Sequence, residues 1–199
     1  MLPDIDLPVS TIQYQPATIQ YQPSSMHTEQ IVPATPADIP ALNSLVNSAY
    51  RGESSKQGWT TEADLLDGVR TTEQDLTAML TSPTACILTL RINQQLKGCV
   101  FLDKQGDDLY LGMLTVDPYA QAQGIGRRLI EAAENYALDH HCNAVVMTVI
   151  TLRHELIAWY ERRGYQRTGI LKPFPKDPSF GTPRKELSFE VLRKGLKSV

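Results

Sequence analysis

The sequence predicts an α/β domain with a mixed, mostly antiparallel sheet covered by helices. Three observations carry that expectation. Segments with apolar residues at helical spacing and segments with the period of β-structure follow one another in the order βααβββαβαββ. A chain of 199 residues, 42% hydrophobic and 21% charged, has the size and composition of one globular domain with a tail. A strand, a proline stop, a glycine-rich turn and a long amphipathic helix also occur in direct succession from Leu114 to Ala137.

Residues 1–28 stand apart from the domain at 29–199. They repeat a heptapeptide, STIQYQP then ATIQYQP from Ser10 to Pro23, and hold no Lys or Arg. The proline spacing breaks any helix, so the segment reads as a flexible extension. From Glu29, EQIVPAT is a short strand. Thr35 before Pro36 opens a helix in which Ile39, Leu42, Leu45 and Val46 share a face. Two helical pieces are expected next, EADLLDGV after Thr60 or Thr61 and EQDLTAML after Thr72, with Pro83 ending the section.

The period then becomes that of strands. TACILTLRI and LKGCVFLDK, joined at Asn93-Gln94-Gln95, make an antiparallel hairpin, and Gly106-Asp107-Asp108 leads into LYLGMLTV. Residues 124–140 form an amphipathic helix with Ile125, Leu129, Ile130 and Ala133 inward, followed by the apolar strand AVVMTVI. Residues 153–163 form another helix, ended by Gly164 as a left-handed cap. A strand, the proline-rich loop KPFPKDPSFGTP (Lys172 to Pro183) and a last strand, KELSFEVL, complete the order.

Several function classes fall away. No apolar run approaches the roughly 20 residues of a membrane span. MLPDIDLPVS opens with Asp4, Asp6 and two prolines, unlike a secretory leader, so a cytoplasmic protein without a membrane partner is expected. Cys86, Cys99 and Cys142 are odd in number and lack CxxC spacing, which points to reduced thiols. No metal is expected, because His140-His141-Cys142 closes a helix whose dipole favours imidazoles there. Up to residue 108 the chain has six Lys/Arg against thirteen Asp/Glu; after it, thirteen against nine. That split suggests a cationic partner near the first half and an anionic one near the second. A pI of about 5.8 argues against nucleic acid.

The anionic partner has a candidate seat. In Gln121-Ala122-Gln123-Gly124-Ile125-Gly126 two glycines let backbone amides converge, and the helix that follows exposes its first N–H groups. Arg127 and Arg128 oppose the helix dipole there, a cost of about 0.3–1 kcal/mol each that a bound anion reverses. The competing role for both arginines is pairing with Glu131. A Walker loop needs Gly-Lys-Ser/Thr where Arg127-Arg128 stands, and a dinucleotide fingerprint needs a small residue at Leu129, so neither nucleotide class fits.

These residues resemble the coenzyme A signature Q/R-x-x-G-x-G/A of the Gcn5-related N-acetyltransferase (GNAT) superfamily, matched by Gln121, Gly124 and Gly126. The resemblance, which runs from residue 29 to 199 through the element order, implies helices on both faces of a sheet splayed at the acetyl-CoA strand. It implies acetyl-CoA as cosubstrate, with the amides of Gln121, Ala122, Gln123, Gly124, Ile125 and Gly126, and the side chains of Arg127 and Arg128, around the pyrophosphate. Leu114, Thr115 and Val116 would pair with pantetheine, a strand amide near Leu114 would serve the oxyanion, and Gly112 would mark the kink. LIAWYERRGYQRTG resembles the family's second signature, in which Tyr160 falls where many members protonate the departing sulfur; the family's frequent Asn is replaced by Arg153.

The chemistry agrees with that role. A phenol with a reference pKa of about 10 is protonated at neutral pH and can donate to a thiolate of reference pKa near 8.5. An alkylamine acceptor arrives as a cation and needs a base. Glu53 and Glu62 in the acidic first half are the candidates, with His154 and Glu155 as further options. Trp59 and the Lys172–Pro183 loop, with Phe174 and Phe180, are candidate walls of a substrate pocket. The function expected is direct acetyl transfer from acetyl-CoA to a primary amine of a small molecule or peptide, with a homodimer left open. The rival expectation, a noncatalytic acyl-CoA-binding module with a partner-docking N-terminal repeat, keeps the turn but needs no Tyr160.

Overall fold

The computed structural model describes residues 28–58, 61–120, 122–175 and 181–196. The duplicated heptapeptide, Trp59, Gln121 and Phe180 lie outside the described residues. Seven strands form one sheet: β1 (Glu29–Pro33), β3 (Ala85–Ile92), β4 (Gln95–Gln105), β5 (Asp108–Val116), β6 (Ala144–Ile150), β7 (Gln166–Pro173) and β9 (Ser188–Gly195). Their spatial order is β1-β3-β4-β5-β6-β9-β7. The pair β5 and β6 is parallel and the others are antiparallel. Only that parallel pair needs a crossover, and α4 (Ile125–Asp139) supplies it.

Alternation along the central strands feeds two cores. Leu88, Leu90, Val100 and Leu102 point to the face covered by α4 and α5 (His154–Glu161). Ile87, Cys99 and Phe101 point to the face covered by α1 (Ile39–Tyr50) and α3 (Glu73–Thr81). On α4, Ile125, Leu129, Ile130, Ala133 and Ala137 recur at helical spacing and are all buried. Full burial contributes about 1.5–3 kcal/mol for each of the three larger side chains, which outweighs the dipole cost of two arginines in the first turn. The helix therefore forms without a cap.

Two expectations need correction. The piece EADLLDGV is not helical: Leu66–Asp67 is a short strand, β2, paired with Thr182–Pro183, β8. Leu65 and Leu66 are consecutive and both buried beside Ile150 and Leu187, and Gly68 turns the chain at φ +90°. Pairing with the distant Thr182–Pro183, and not the local spacing, holds this segment extended. The last strand begins at Ser188, three residues later than expected, and a single-turn helix, α2 (Gly52–Ser55), follows α1.

Candidate active site

The sheet opens where the site lies. β5 and β6 pair only from Asp108 to Tyr110 against Ala144 to Val146, although β5 runs on to Val116 and β6 to Ile150. Within β5, Leu109 and Leu111 face α4, Met113 faces α1, and Leu114 and Val116 face α4 again. The phase flips because β5 carries a bulge: Cys99 faces Thr115 while Phe101 faces Gly112, leaving Met113 and Leu114 opposite Val100. Met113 takes up the turn at φ +49°, a left-handed value costly for a side-chain-bearing residue. The kink thus falls one residue beyond Gly112, whose missing Cβ would sit 2.9 Å from the Tyr110 ring.

A cleft of about 770 Å³ fills the opening on the α4 side. Its floor is Leu114 and Val116, one wall is the turn and first residues of α4, and the other is Leu156, Trp159, Tyr160 and Arg163 of α5 and its end. Gly124 caps α4 in the left-handed region at φ 74° and ψ 9° with no side-chain hydrogen bond, and no acid stands in the first turn. The orphan N–H groups of that turn therefore open onto the cleft. A Cβ on Gly126 would lie 3.6 Å from both Trp159 and Val116, so the glycine keeps the cradle clear.

The cleft rim is electropositive. Arg163 lies over the Trp159 ring, 3.4 Å from its centroid, and donates to the Trp159 carbonyl at 2.8 Å, while its Nε is buried without a hydrogen-bond partner. Burial, then the Arg162 and Arg127 charges, holds the Arg163 guanidinium below its ordinary pKa. An anion in this cleft relieves that crowding.

A second cleft of about 400 Å³ lies on the other side of the opening, between β2, β5, β6 and the start of the Lys172–Pro183 loop. Tyr50, Leu114, Leu156 and Tyr160 line both clefts and form the passage between them. The two phenols at that passage differ. The Tyr50 hydroxyl donates to the Leu114 carbonyl at 2.7 Å, and burial pushes its pKa up to about 12. Tyr160 is 5% exposed, stacks edge-on with Trp159 and Tyr165, and its hydroxyl has no hydrogen-bond partner among the described residues. Burial first, then the neighbouring Tyr50, drives its pKa well above the ordinary value. It keeps its proton at any physiological pH.

The expected site residues divide. Leu114, Val116, Ala122, Gly124, Ile125, Gly126 and Arg127 line the larger cleft with Tyr160. Thr115 turns the other way, fully buried, its hydroxyl donating to the Met113 carbonyl at 2.9 Å. Gln123 is exposed beside the cleft, and Arg128 pairs with Glu29 on β1 at 3.1 Å, in a geometry that leaves its Nε without a hydrogen bond. Arg127 lies 3.7 Å from Glu131, and both are more than half exposed, so this pair holds it only weakly. Glu62 lines the smaller cleft and takes the Arg51 guanidinium at 2.6 Å. Glu53 does not reach either cleft: it is 88% exposed and pairs with Lys56. His154 and Glu155 are exposed, and Glu155 pairs with Arg153.

Sequence reasoning missed Tyr50, Trp159, Arg163 and the arginines of the smaller cleft. Trp159 and Arg163 carry a readable signal, a ring and a cation four residues apart on one helix face beside Tyr160. Arg153 is more than a departure from a pattern. It is 6% exposed and donates to the Thr61 carbonyl at 2.9 Å, tying the start of α5 to the loop before β2. Among the described residues no group of His, Cys, Asp and Glu is arranged to hold a metal ion. None of the described helices is long and apolar enough to cross a membrane.

Residues 43–165 match the model of the Acetyltransferase (GNAT) family, and the chain belongs to that family. Over 89 residues, 43% of this chain and 48% of the relative, it is 33% identical to N-alpha-acetyltransferase 30 of Dictyostelium discoideum; the chain thus spans about half of that relative's length. The fold is similar to that of the ribosomal-protein-S18-alanine N-acetyltransferase of Escherichia coli, with TM-score 0.66 and 15% identity over 86% of this chain and 96% of that one. It is also similar to yncA of Salmonella typhimurium, solved with its cofactor acetyl-CoA, with TM-score 0.64 and 16% identity over 86% and 96% of the two chains.

Proposed function

We propose that this protein is an acetyl-CoA-dependent N-acetyltransferase that moves the acetyl group directly to a primary amine. The observation that carries the reading is one continuous passage: the cleft that begins at the uncapped N-terminus of α4 ends at Tyr160, whose hydroxyl has no hydrogen-bond partner among the described residues, and a second cleft meets it there. The relatives named above supply the donor, whose thioester is an activated acyl group.

The residues fit that donor. Its pyrophosphate is matched by the N–H groups at Gly124 to Arg127, with Arg127 and Arg163 adding charge. Leu114 and Val116 give an extended, apolar edge along which the pantetheine arm lies. Tyr160, which burial keeps protonated, then donates its proton to the departing sulfur; the same low-polarity surroundings disfavour a free thiolate there and so raise the sulfur's demand for that proton. Tyr50 fixes the Leu114 carbonyl and so holds the bulged edge of β5 at the reacting end. Glu62, the carboxylate lining the smaller cleft, takes the proton that the amine loses. No cysteine lines either cleft among the described residues, in keeping with direct transfer rather than an acyl-enzyme.

Tyr160→Phe tests the proposal. The ring and its two edge-on contacts stay, and only the proton donor is lost. Turnover is expected to fall by about 10²–10⁴-fold with acetyl-CoA affinity little changed. Near wild-type turnover removes Tyr160 from the mechanism and leaves a binding module.

A further inference from the structure

The smaller cleft has a charge opposite to the one the sequence suggests for it. The first half of the chain is acidic, yet its carboxylates do not converge on this space: Glu53 faces solvent with Lys56, and Asp67 pairs with Arg184. The described residues that line it include Arg51, Arg70, Arg153 and Lys172, against Glu62 as the single carboxylate. That carboxylate is already engaged by Arg51.

Two of the cations are held without a full set of partners. Arg51 is 7% exposed and spends Nη1 on Glu62 and on the Tyr50 carbonyl, while its Nε and Nη2 are buried with no hydrogen bond. Arg70 is half-buried, with its guanidinium 5.3 Å from the centroid of the Tyr50 ring and no carboxylate partner among the described residues. Its backbone is fixed, since Asn47 accepts from the Arg70 N–H at 2.7 Å and donates to the Thr71 carbonyl at 3.0 Å. The stacking places this cation against the same tyrosine that lines the passage to Tyr160.

We infer that the acceptor is an amine carrying its own oxyanion close to the amino group, an amino carboxylate or an aminophosphonate, with Arg70 receiving the anion. The inference rests on the acetyltransferase reading and adds the acceptor's chemical class to it. Planar guanidinium groups suit carboxylate and phosphorus oxyanions, which accept two parallel N–H donors. The same positive walls disfavour an ammonium ion, so they lower the pKa of the bound amine and ease loss of its proton to Glu62. A purely cationic acceptor such as a polyamine meets repulsion from Arg70 and Lys172, the lining cations without a carboxylate partner among the described residues.

Initial rates with acetyl-CoA on matched amines test this: a free amino acid against its carboxamide, and an aminoalkylphosphonate against the corresponding amino alcohol. The anionic member is expected to lead in kcat/KM by about tenfold or more in at least one pair, and the pair with the larger ratio identifies the oxyanion. Arg70→Gln is expected to collapse that ratio to near unity and Arg70→Lys to keep part of it, with acetyl-CoA affinity unchanged because Arg70 does not line the larger cleft. Calorimetric titration of the coenzyme A-loaded protein with the same amines reads the preference without turnover and is expected to give the same order. Equal or reversed preference in both readouts, or a ratio indifferent to Arg70→Gln, overturns the acceptor class. If acetyl-CoA binds and neutral amines are acetylated equally well, only the acceptor class falls; if acetyl-CoA does not bind, the acetyltransferase reading falls with it.

Discussion

Two helix starts in this molecule solve the same problem in opposite ways. At α3, Thr72 accepts from the Asp75 N–H at 3.1 Å and Asp75 accepts from the Thr72 N–H at 2.9 Å, a reciprocal capping box with Glu73 and Asp75 in the first turn. At α4, Gly124 offers no side chain, the first turn has no acid, and Arg127 and Arg128 stand where negative charge is favoured. One start is closed by its own residues. The other is left open, and burial of Ile125, Leu129 and Ile130 compensates for what the missing cap loses. The difference teaches that burial of the rest of a helix can sustain an uncapped, positively charged start, which under the proposed function is where the phosphates of coenzyme A supply the missing negative charge.

Breaking the open start should be felt in binding. Gly126→Val places methyl groups beside Trp159 and Val116, in the space above the α4 amides, while the backbone there is helical and tolerates the change. Coenzyme A affinity measured by calorimetry is expected to drop about tenfold or more with a small change in melting temperature. Unchanged affinity would show that the phosphates bind elsewhere.

Breaking the closed start should be felt in stability. Thr72→Ala removes the cap of α3 and is expected to cost about 0.5–2 kcal/mol in denaturant unfolding, leaving coenzyme A affinity at the wild-type value. A loss of affinity comparable to that of Gly126→Val would dissolve the contrast between the two starts.

The smallest effect sharpens the closed type with a third example. At the 3-10 turn Pro36–Asp38, the Asp38 carboxylate accepts from the Thr35 N–H at 2.8 Å and from its hydroxyl at 3.0 Å, and pairs with Arg91. Burial works against the charged form, but the Thr35 hydrogen bonds and the Arg91 charge outweigh it and hold the Asp38 pKa below its ordinary 3.8. A lowered folded-state pKa stabilises the fold above the unfolded value, and that contribution disappears as pH falls through the folded one. Thermal melts between pH 6 and 3, a range of about the carboxylate titration, should show the wild type losing more stability than Asp38→Asn at the acid end. Parallel pH profiles would remove Asp38 from the linkage.

The legibility of these features follows their range along the chain. The open start of α4 was readable because turn, glycines, arginines and apolar stripe lie within Leu114 to Ala137. Tyr160 is singled out only by the resemblance of LIAWYERRGYQRTG to the family's second signature, since its spacing from Leu156 and Ile157 suits a packing tyrosine as well. The strand at Leu66–Asp67 was not, because its partner, Thr182–Pro183, is far away in sequence and local spacing there favours a helix. The bulge that turns Met113 to the α1 side was also hidden, since a local pattern assigns faces by strict alternation and Gly112 was the more natural kink. Glu53 and Glu62 looked equivalent in the sequence, and only the fold sends one to solvent and the other to the cleft.

By itself, then, the sequence determined most of the succession of helices and strands around the core and the glycine turn at Gly124–Gly126 ahead of α4, because propensity, periodicity and capping act between residues a few positions apart. Tertiary structure decided the parting of β5 from β6, the union of two clefts at Tyr50 and Tyr160, and the gathering of Arg51, Arg70, Arg153 and Lys172 around one carboxylate. Those outcomes depend on which distant segments share a surface. The charge of a pocket is the sum over residues that chain order scatters, so an acidic stretch of sequence can border a basic cleft.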